Sequence, residues 1–213
     1  MEIQKVYKCF ISSPGDCEKE REICQSVINK INTGLAKHLR INFQTFMWEY
    51  DVLPDMGGNG QEIIDKYIEK SNYDIFIGIM KNRFGHPTKK AGSGTEHEFN
   101  NALVQKNKSN DSIPQIIFFF GKENVDLDNP KIDEILEQHK KVKTFKSKIG
   151  GNGIYTDFES IENFEKKLEE KLNLFISELS PLNNPNEKIK EIDAVQKQLE
   201  KDLDDSLKTY NEK

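Results

Sequence analysis

The sequence predicts an α/β fold of the flavodoxin-like type, with a parallel five-stranded sheet in the order 2-1-3-4-5 and helices on both faces. Short apolar segments of strand length alternate with longer segments of helical spacing along residues 1–180. One apolar segment, residues 74–80, is almost continuously apolar, which is typical of a strand covered on both faces. The strand order is assumed from the common arrangement of such folds.

The first half of the chain supplies three strands. Residues 6–11 form an apolar run that ends in the tight turn Ser12-Ser13-Pro14-Gly15-Asp16. Residues 17–31 follow as an amphipathic helix, and residues 41–48 form the second strand. A loop rich in Pro, Asp and Gly spans residues 49–60 and leads to a helix that carries Ile63, Ile64, Tyr67 and Ile68. The third strand, residues 74–80, closes this half.

The second half begins with a glycine-rich turn that leads into a helix. Thr95 followed by Glu98 matches the S/T-x-x-E capping box, so we expect Thr95 as the N-cap and Glu98 as the third helical residue. Phe99, Ala102 and Leu103 recur at helical spacing and predict the buried face. The remaining predicted elements are a strand at 115–120, a helix at 129–145, a weak strand around 154–155 and a helix at 161–179.

In such folds, ligands bind beyond the carboxyl ends of the strands, where the strand order reverses. With the order 2-1-3-4-5, that point lies between the first and third strands. The turns that arrive there are Ser12 to Asp16, Arg83 to Gly85, and the helix start that carries Glu98. We therefore expect Ser12 and Ser13 to line a ligand, and their turn to offer backbone N–H groups to a phosphate.

The amino-acid composition argues against several classes of protein. Charged residues make up 31% of the 213 residues, the formal net charge is −5, and no basic stripe suggests a nucleic-acid partner. No apolar run is long enough to span a membrane or to act as a signal peptide. Three cysteines without metal-ligand spacing suggest buried thiols in a reducing compartment, so a cytoplasmic protein without a metal site is expected.

After residue 180 the composition changes. Residues 181–213 begin with a Pro/Asn-rich linker and continue as a charged segment in which Ile189, Ile192, Val195 and Leu199 recur at helical spacing. We expect an amphipathic helix that docks, pairs, or leads into a further domain. Residues 1–180 are expected to form the α/β domain, and the chain to be the N-terminal piece of a longer protein.

Several spaced motifs resemble a known family. Residues 10–16, the segment Asp74-Ile75-Phe76-Ile77-Gly78, the triplet Arg83-Phe84-Gly85 and residues 92–102 together resemble the TIR-like "domain of unknown function" family found at the N-terminus of large NTPase sensor proteins. TIR domains and nucleoside deoxyribosyltransferases are more distantly similar. Gly94-Thr95-x-x-Glu98 matches the segment that carries the catalytic glutamate of the transferases. The Trp-Cys pair common before the TIR glutamate is replaced here by Thr95-Glu96, which leaves the choice of substrate open.

The resemblance implies cleavage of the N-glycosidic bond of NAD, with NAD as substrate and no cofactor, by a bacterial antiviral effector that an attached sensor activates through homo-oligomerisation. Glu98 is the candidate catalytic residue, although a capping role worth about 1 kcal/mol would look the same in sequence. The candidate substrate-binding residues are Phe10, Ser12, Ser13, Asp51, Arg83 and Thr95.

Two alternatives remain open. One is a non-catalytic TIR-like interaction module, and the other is an enzyme that acts on a free nucleoside or nucleotide. For Asp51 and Arg83 a structural role is expected ahead of substrate binding, because each can pair with other charges on the rim. Arg21 is expected to anchor the first helix, and His86 and His97 are expected to face solvent.

Overall fold

The computed structural model describes residues 4–47, 51, 72–109, 113–122, 128–151 and 153–179. Five parallel strands form one sheet in the order β2-β1-β3-β4-β5, as the sequence predicts. The strands are β1 (Lys5–Ser12), β2 (Ile41–Phe46), β3 (Ile75–Met80), β4 (Gln115–Gly121) and β5 (Thr156–Phe158). The described helices are α1 (Glu18–Thr33), α2 (Leu35–His38), α3 (Gly94–Lys108), α4 (Ile132–Gly150) and α5 (Ile161–Leu179).

The central strand β3 is buried along its whole length, which accounts for its unbroken apolar sequence. It pairs with β1 on one side and β4 on the other, and Ser12 at the end of β1 lies opposite Gly78. A Cβ atom at Gly78 would lie 2.4 Å from the ring of Phe118. Only glycine, which has no Cβ atom, therefore fits at position 78 of β3, where the ring of Phe118 packs close to the candidate site.

Helices cover both faces of the sheet. On one face, Phe99 of α3 and Phe145 of α4 each pack edge-to-face against Phe118 of β4, with ring centroids 5.6 Å apart. On the other face, Phe119 packs against Phe164 of α5 at 5.1 Å. The first of these clusters matters for the site because it determines which side of α3 faces the sheet.

The boundaries differ from the predicted ones at several elements. The weak strand predicted around 154–155 is present but displaced to Thr156–Phe158, because Ile154 is 96% exposed and the pairing with β4 begins at Thr156. The helix predicted at 129–145 is displaced to Ile132–Gly150, since the side chain of Asn129 accepts a hydrogen bond from the backbone of Lys131 before the helix starts. The short helix α2 was not predicted.

Some predicted elements lie outside the described residues. These are the loop at 49–60 (except Asp51), the helix that carries Ile63 to Ile68, and residues 181–213. By its internal contacts the chain divides into two compact units, Met1–Lys171 and Leu172–Lys213. The described part of the second unit is the C-terminal end of α5, so the boundary predicted at residue 180 stays a prediction. Within the described ranges, no helix is long and apolar enough to cross a membrane.

Candidate functional site

The candidate site lies where the sheet order reverses, between the carboxyl ends of β1 and β3. Here β1 ends at Ser12. The sheet continues from β1 to β2 on one side, and to β3, β4 and β5 on the other. The adjacency of β1 and β3, which the assumed order required, is confirmed by four paired residues from Cys9 to Ser12. In sheets of this type, the crevice at such a reversal is the usual place for a ligand.

Glu98 of α3 is directed onto β1. The hydroxyl of Ser12 donates a hydrogen bond of 2.5 Å to Oε2 of Glu98, between residues 86 positions apart in the chain. Both residues are buried: Ser12 is 0% exposed and Glu98 is 3% exposed. The bond joins the end of the first strand to the helix that follows the third.

The orientation of Glu98 follows from the packing of its neighbours. Phe99 and Ala102 are buried against the sheet, where Phe99 contacts Phe76 at a centroid distance of 6.2 Å. These contacts determine the rotation of α3 about its axis. The carboxylate one position before Phe99 is therefore presented to β1 rather than to solvent.

The capping prediction for Thr95 and Glu98 is wrong. The N-cap of α3 is Ser93, whose Oγ accepts a hydrogen bond of 3.1 Å from the backbone of Glu96. Glu96 in turn accepts a 2.8 Å hydrogen bond from the backbone of Gly92. Thr95 lies inside the helix and is buried. The helix therefore begins with Ser93 as its N-cap, and Glu96 rather than Glu98 reaches back to the turn before it.

Ser13 belongs to a second arrangement beneath the β1–α1 turn. Nη1 of Arg21 donates to Oγ of Ser13 at 2.8 Å and to the carbonyl of Pro14 at 3.2 Å. Arg21 is 7% exposed, so a guanidinium lies buried under the turn that follows β1. The expected anchoring role of Arg21 is confirmed by these contacts.

Arg83 borders a different recess on the same edge of the sheet. Its backbone N–H donates to Oδ2 of Asp16 at 3.2 Å, and its exposed side chain lies over Gly15. The adjoining Gly85 has φ +101°, a conformation that favours glycine. Gln138 of α4 accepts hydrogen bonds from the backbone of both Phe84 and Gly85. Arg83 lines a cavity of about 490 Å³ whose described lining includes neither Ser12 nor Glu98.

Phe10 and Asp51 have structural contacts. The ring of Phe10 is fully buried and packs against Tyr73 and Phe46, so it presents no surface to a ligand in this structure. Oδ2 of Asp51 accepts a 2.7 Å hydrogen bond from the backbone of Met47, the residue that follows β2. Neither contact contributes to the Ser12–Glu98 pair.

Tyr73, which sequence reasoning missed, lies in the same region. It is 2% exposed, and its hydroxyl has no hydrogen-bond partner among the described residues. Burial, followed by the negative charge of Glu98, raises the pKa of Tyr73. The available signal was a tyrosine placed directly before an apolar strand, where its hydroxyl has to find a partner inside the protein.

The two histidines on this side of the fold differ. His86 is exposed, as predicted, but the same prediction for His97 is wrong. His97 is 3% exposed, and its Nδ1 lies 3.4 Å from the hydroxyl of Thr88, because the loop before α3 folds over this part of the helix. Within the described residues, no group of three or more His, Cys, Asp or Glu side chains is placed to hold a metal ion.

A family model described as a domain of unknown function, DUF4062, matches residues 8–173. The chain belongs to the DUF4062 family. The match begins inside β1 and ends inside α5, so Ser12, Tyr73 and Glu98 all lie within the DUF4062 domain.

Other comparisons add little to this assignment. No curated protein matches the DUF4062 chain significantly. A conserved protein from Enterococcus faecalis V583, known from a crystal structure, is similar over 78% of this chain and 99% of its own, at 14% identity and a TM-score of 0.38. A likeness at that level supports no argument about fold or function.

Proposed function

We propose that this DUF4062 domain cleaves the N-glycosidic bond of NAD, with Glu98 as the residue that stabilises the ribose cation formed in the reaction. The observation that carries the proposal is the Ser12–Glu98 hydrogen bond. It holds a buried carboxylate at the reversal point of the sheet, while the neighbouring Glu96 performs the capping role. A buried acid without a capping function is a candidate for chemistry.

The reaction suits a single carboxylate. The bond between C1′ of the ribose and the nicotinamide nitrogen breaks, and its electron pair neutralises the pyridinium, so that nicotinamide leaves without being protonated. Positive charge then develops on C1′ and the ring oxygen, where a fixed carboxylate lowers the barrier. Water adds to C1′ and loses a proton, which yields ADP-ribose. O-glycosidases, by contrast, need a second carboxyl group to protonate the leaving oxygen.

Ser12 contributes by orienting the carboxylate. Its hydroxyl donates a hydrogen bond to Oε2 of Glu98, so the carboxylate is held in one rotamer before substrate binds. A preorganised charge needs no rearrangement during the reaction, which is the main advantage of a protein site over water. The donated hydrogen bond also favours the ionised form of a carboxylate that is otherwise removed from solvent.

The remaining candidates have supporting roles in this proposal. The turn after β1 can offer backbone N–H groups to a substrate phosphate, with the buried guanidinium of Arg21 beneath it. The exposed Arg83 can reach a phosphate from the neighbouring recess. In the effector interpretation, an attached sensor domain assembles several copies of the chain and thereby activates the site, as in antiviral defence.

The proposal is tested by incubating the purified chain separately with NAD, nicotinamide riboside and purine nucleosides, and separating the products by chromatography. We expect nicotinamide and ADP-ribose in equal amounts from NAD. Release of base from the nucleosides alone would instead indicate a nucleoside-processing enzyme. If a folded protein cleaves none of these substrates at any concentration, the interaction-module interpretation replaces the proposal.

A further inference from the structure

Tyr73 contains a buried hydrogen-bond donor whose partner is not among the described residues. Its side chain is almost completely enclosed, yet its hydroxyl makes no hydrogen bond within that part of the chain. Buried hydroxyl groups without a partner are rare, because desolvation without compensation is costly. Such a group therefore suggests an acceptor that it engages in another state of the protein.

Packing places this tyrosine on the face of the sheet that also carries Ser12. The ring of Tyr73 lies 5.3 Å from that of Phe10 and 6.4 Å from that of Phe76, measured between centroids. Phe10 is two residues before Ser12 and therefore points to the same face of β1. Phe76 also contacts Phe99, the residue that follows Glu98. Tyr73 and Phe99, the residue next to Glu98, thus belong to the same aromatic cluster.

Electrostatics are consistent with this placement. Burial is the larger cause of the raised pKa of Tyr73, and the charge of Glu98 is the second. The phenol consequently stays protonated throughout the neutral range, where it can only be a neutral donor or acceptor. The chain also turns immediately before this residue, where Asn72 adopts a left-handed conformation with φ 40°.

We propose that Tyr73 is a positioning residue for Glu98, and that its hydroxyl donates a hydrogen bond to the carboxylate when the reaction site is formed. This inference rests on the proposed function, since it assigns Glu98 the catalytic role. Ser12 holds Oε2 from the end of β1. The ring of Tyr73 contacts Phe76, which contacts Phe99 beside Glu98. Catalytic hydrogen bonds often shorten only when substrate is bound.

The test compares Tyr73→Phe with wild type, using Tyr7→Phe as the matched control. Tyr7 is also a buried tyrosine, 4% exposed, but it packs against Phe43 of β2, away from Glu98. In Tyr73→Phe we expect kcat for nicotinamide release to fall about tenfold while KM stays within about twofold. Tyr7→Phe should retain the wild-type kcat. Melting temperatures recorded in parallel show whether each variant is folded.

A second measurement does not depend on activity. The ¹³C resonance of the Glu98 carboxyl group, assigned by its loss in Glu98→Gln, is followed against pH in the full chain with excess ADP-ribose present, with and without Tyr73→Phe. We expect the midpoint to rise by about one pH unit in Tyr73→Phe, because a carboxylate that loses a donor is protonated more easily. Tyr7→Phe should leave the midpoint unchanged.

These readouts separate the two proposals. If wild type does not release nicotinamide, the proposed function fails, and the carboxyl midpoint alone decides the role of Tyr73. If wild type is active but Tyr73→Phe keeps either the wild-type kcat or the wild-type midpoint, the positioning role is overturned while the proposed function stands.

Discussion

The hydroxyl of Ser12 and the carboxylate of Glu98 are joined by a buried 2.5 Å hydrogen bond across 86 residues of chain. This single contact links the strand at the centre of the sheet reversal with the helix that follows β3. It also supplies what a fixed anionic group needs, a donor that favours ionisation and a defined rotamer.

Removal of the Ser12 hydroxyl should impair catalysis more than stability. In Ser12→Ala the carboxylate of Glu98 loses the donor that holds it, and we expect kcat for nicotinamide release to fall about 10- to 100-fold. Ser93→Ala is the control, because it also removes a fully buried serine hydroxyl that is hydrogen-bonded to α3, the helix that carries Glu98. Equal kcat values for Ser12→Ala and wild type would show that the bond does not contribute to the reaction.

The helix cap should behave in the opposite way. Ser93→Ala removes the side chain that accepts from the backbone of Glu96, and it should lower the free energy of unfolding by about 1 kcal/mol. Glu96→Gln keeps an acceptor for the backbone of Gly92 and should cost less. Both changes should leave kcat near the wild-type value. Urea unfolding of the two variants measures the difference, and a cap at Thr95 instead would leave Ser93→Ala as stable as wild type.

This cap marks the limit of what the sequence predicts at the site. Ser93-x-x-Glu96 and Thr95-x-x-Glu98 both match the capping pattern, two residues apart, so the pattern alone cannot choose between them. The choice depends on packing: a Cβ atom at Gly92 would lie 2.9 Å from the ring of Phe84, and this close approach locates the turn before the helix. Such a contact between separate segments is not encoded in local spacing.

The sheet was easier to predict than the side chains around it. The parallel sheet follows from the alternation of elements and from the length and apolarity of β3, both of which are local properties, and the strand order was assumed from the common arrangement of such folds. The burial of His97 and the orphan hydroxyl of Tyr73 depend on loops and rings brought together by the fold. The sequence placed Ser12 and Glu98 only at the same edge of the sheet. The rule that ligands bind where the strand order reverses locates loops, and it does not predict hydrogen bonds between their side chains.

The cysteines give a prediction about pH. Cys9, Cys17 and Cys24 are buried and free, and desolvation raises the pKa of each thiol above its ordinary value of 9.0. The folded state therefore keeps its thiols protonated while the unfolded state releases the protons as pH rises through about 9. Stability should be unaffected by these groups below that pH and should decrease above it, with a slope approaching about 1.4 kcal/mol per pH unit for each thiol.

Urea unfolding between pH 7 and 10 measures this decrease. Cys24→Ala provides the comparison, because removal of one buried thiol should make the decline shallower between pH 9 and 10, whatever its cost at pH 7. Native protein should also react slowly with a thiol reagent at pH 8. Rapid reaction of all three thiols without denaturant would contradict the burial on which the prediction depends.

Assembly should control activity if the domain is an effector. A competent state that is only a small fraction of the population lowers the apparent activity by that fraction, and a partner that favours the state restores it. We expect nicotinamide release per protomer to rise steeply with protein concentration, or on fusion to an oligomer. A high and constant value in a strictly monomeric sample, verified by light scattering, would show that assembly is not the switch.

The most direct test of the account is nicotinamide release from NAD by Glu98→Gln, with Glu96→Gln as the matched control. Glutamine at position 98 can still accept the hydrogen bond from Ser12, so the fold should be retained, but the negative charge is lost. The account predicts that Glu98→Gln loses activity by several orders of magnitude while Glu96→Gln keeps a rate close to that of wild type. A well-folded Glu98→Gln protein that releases nicotinamide at the wild-type rate would contradict it.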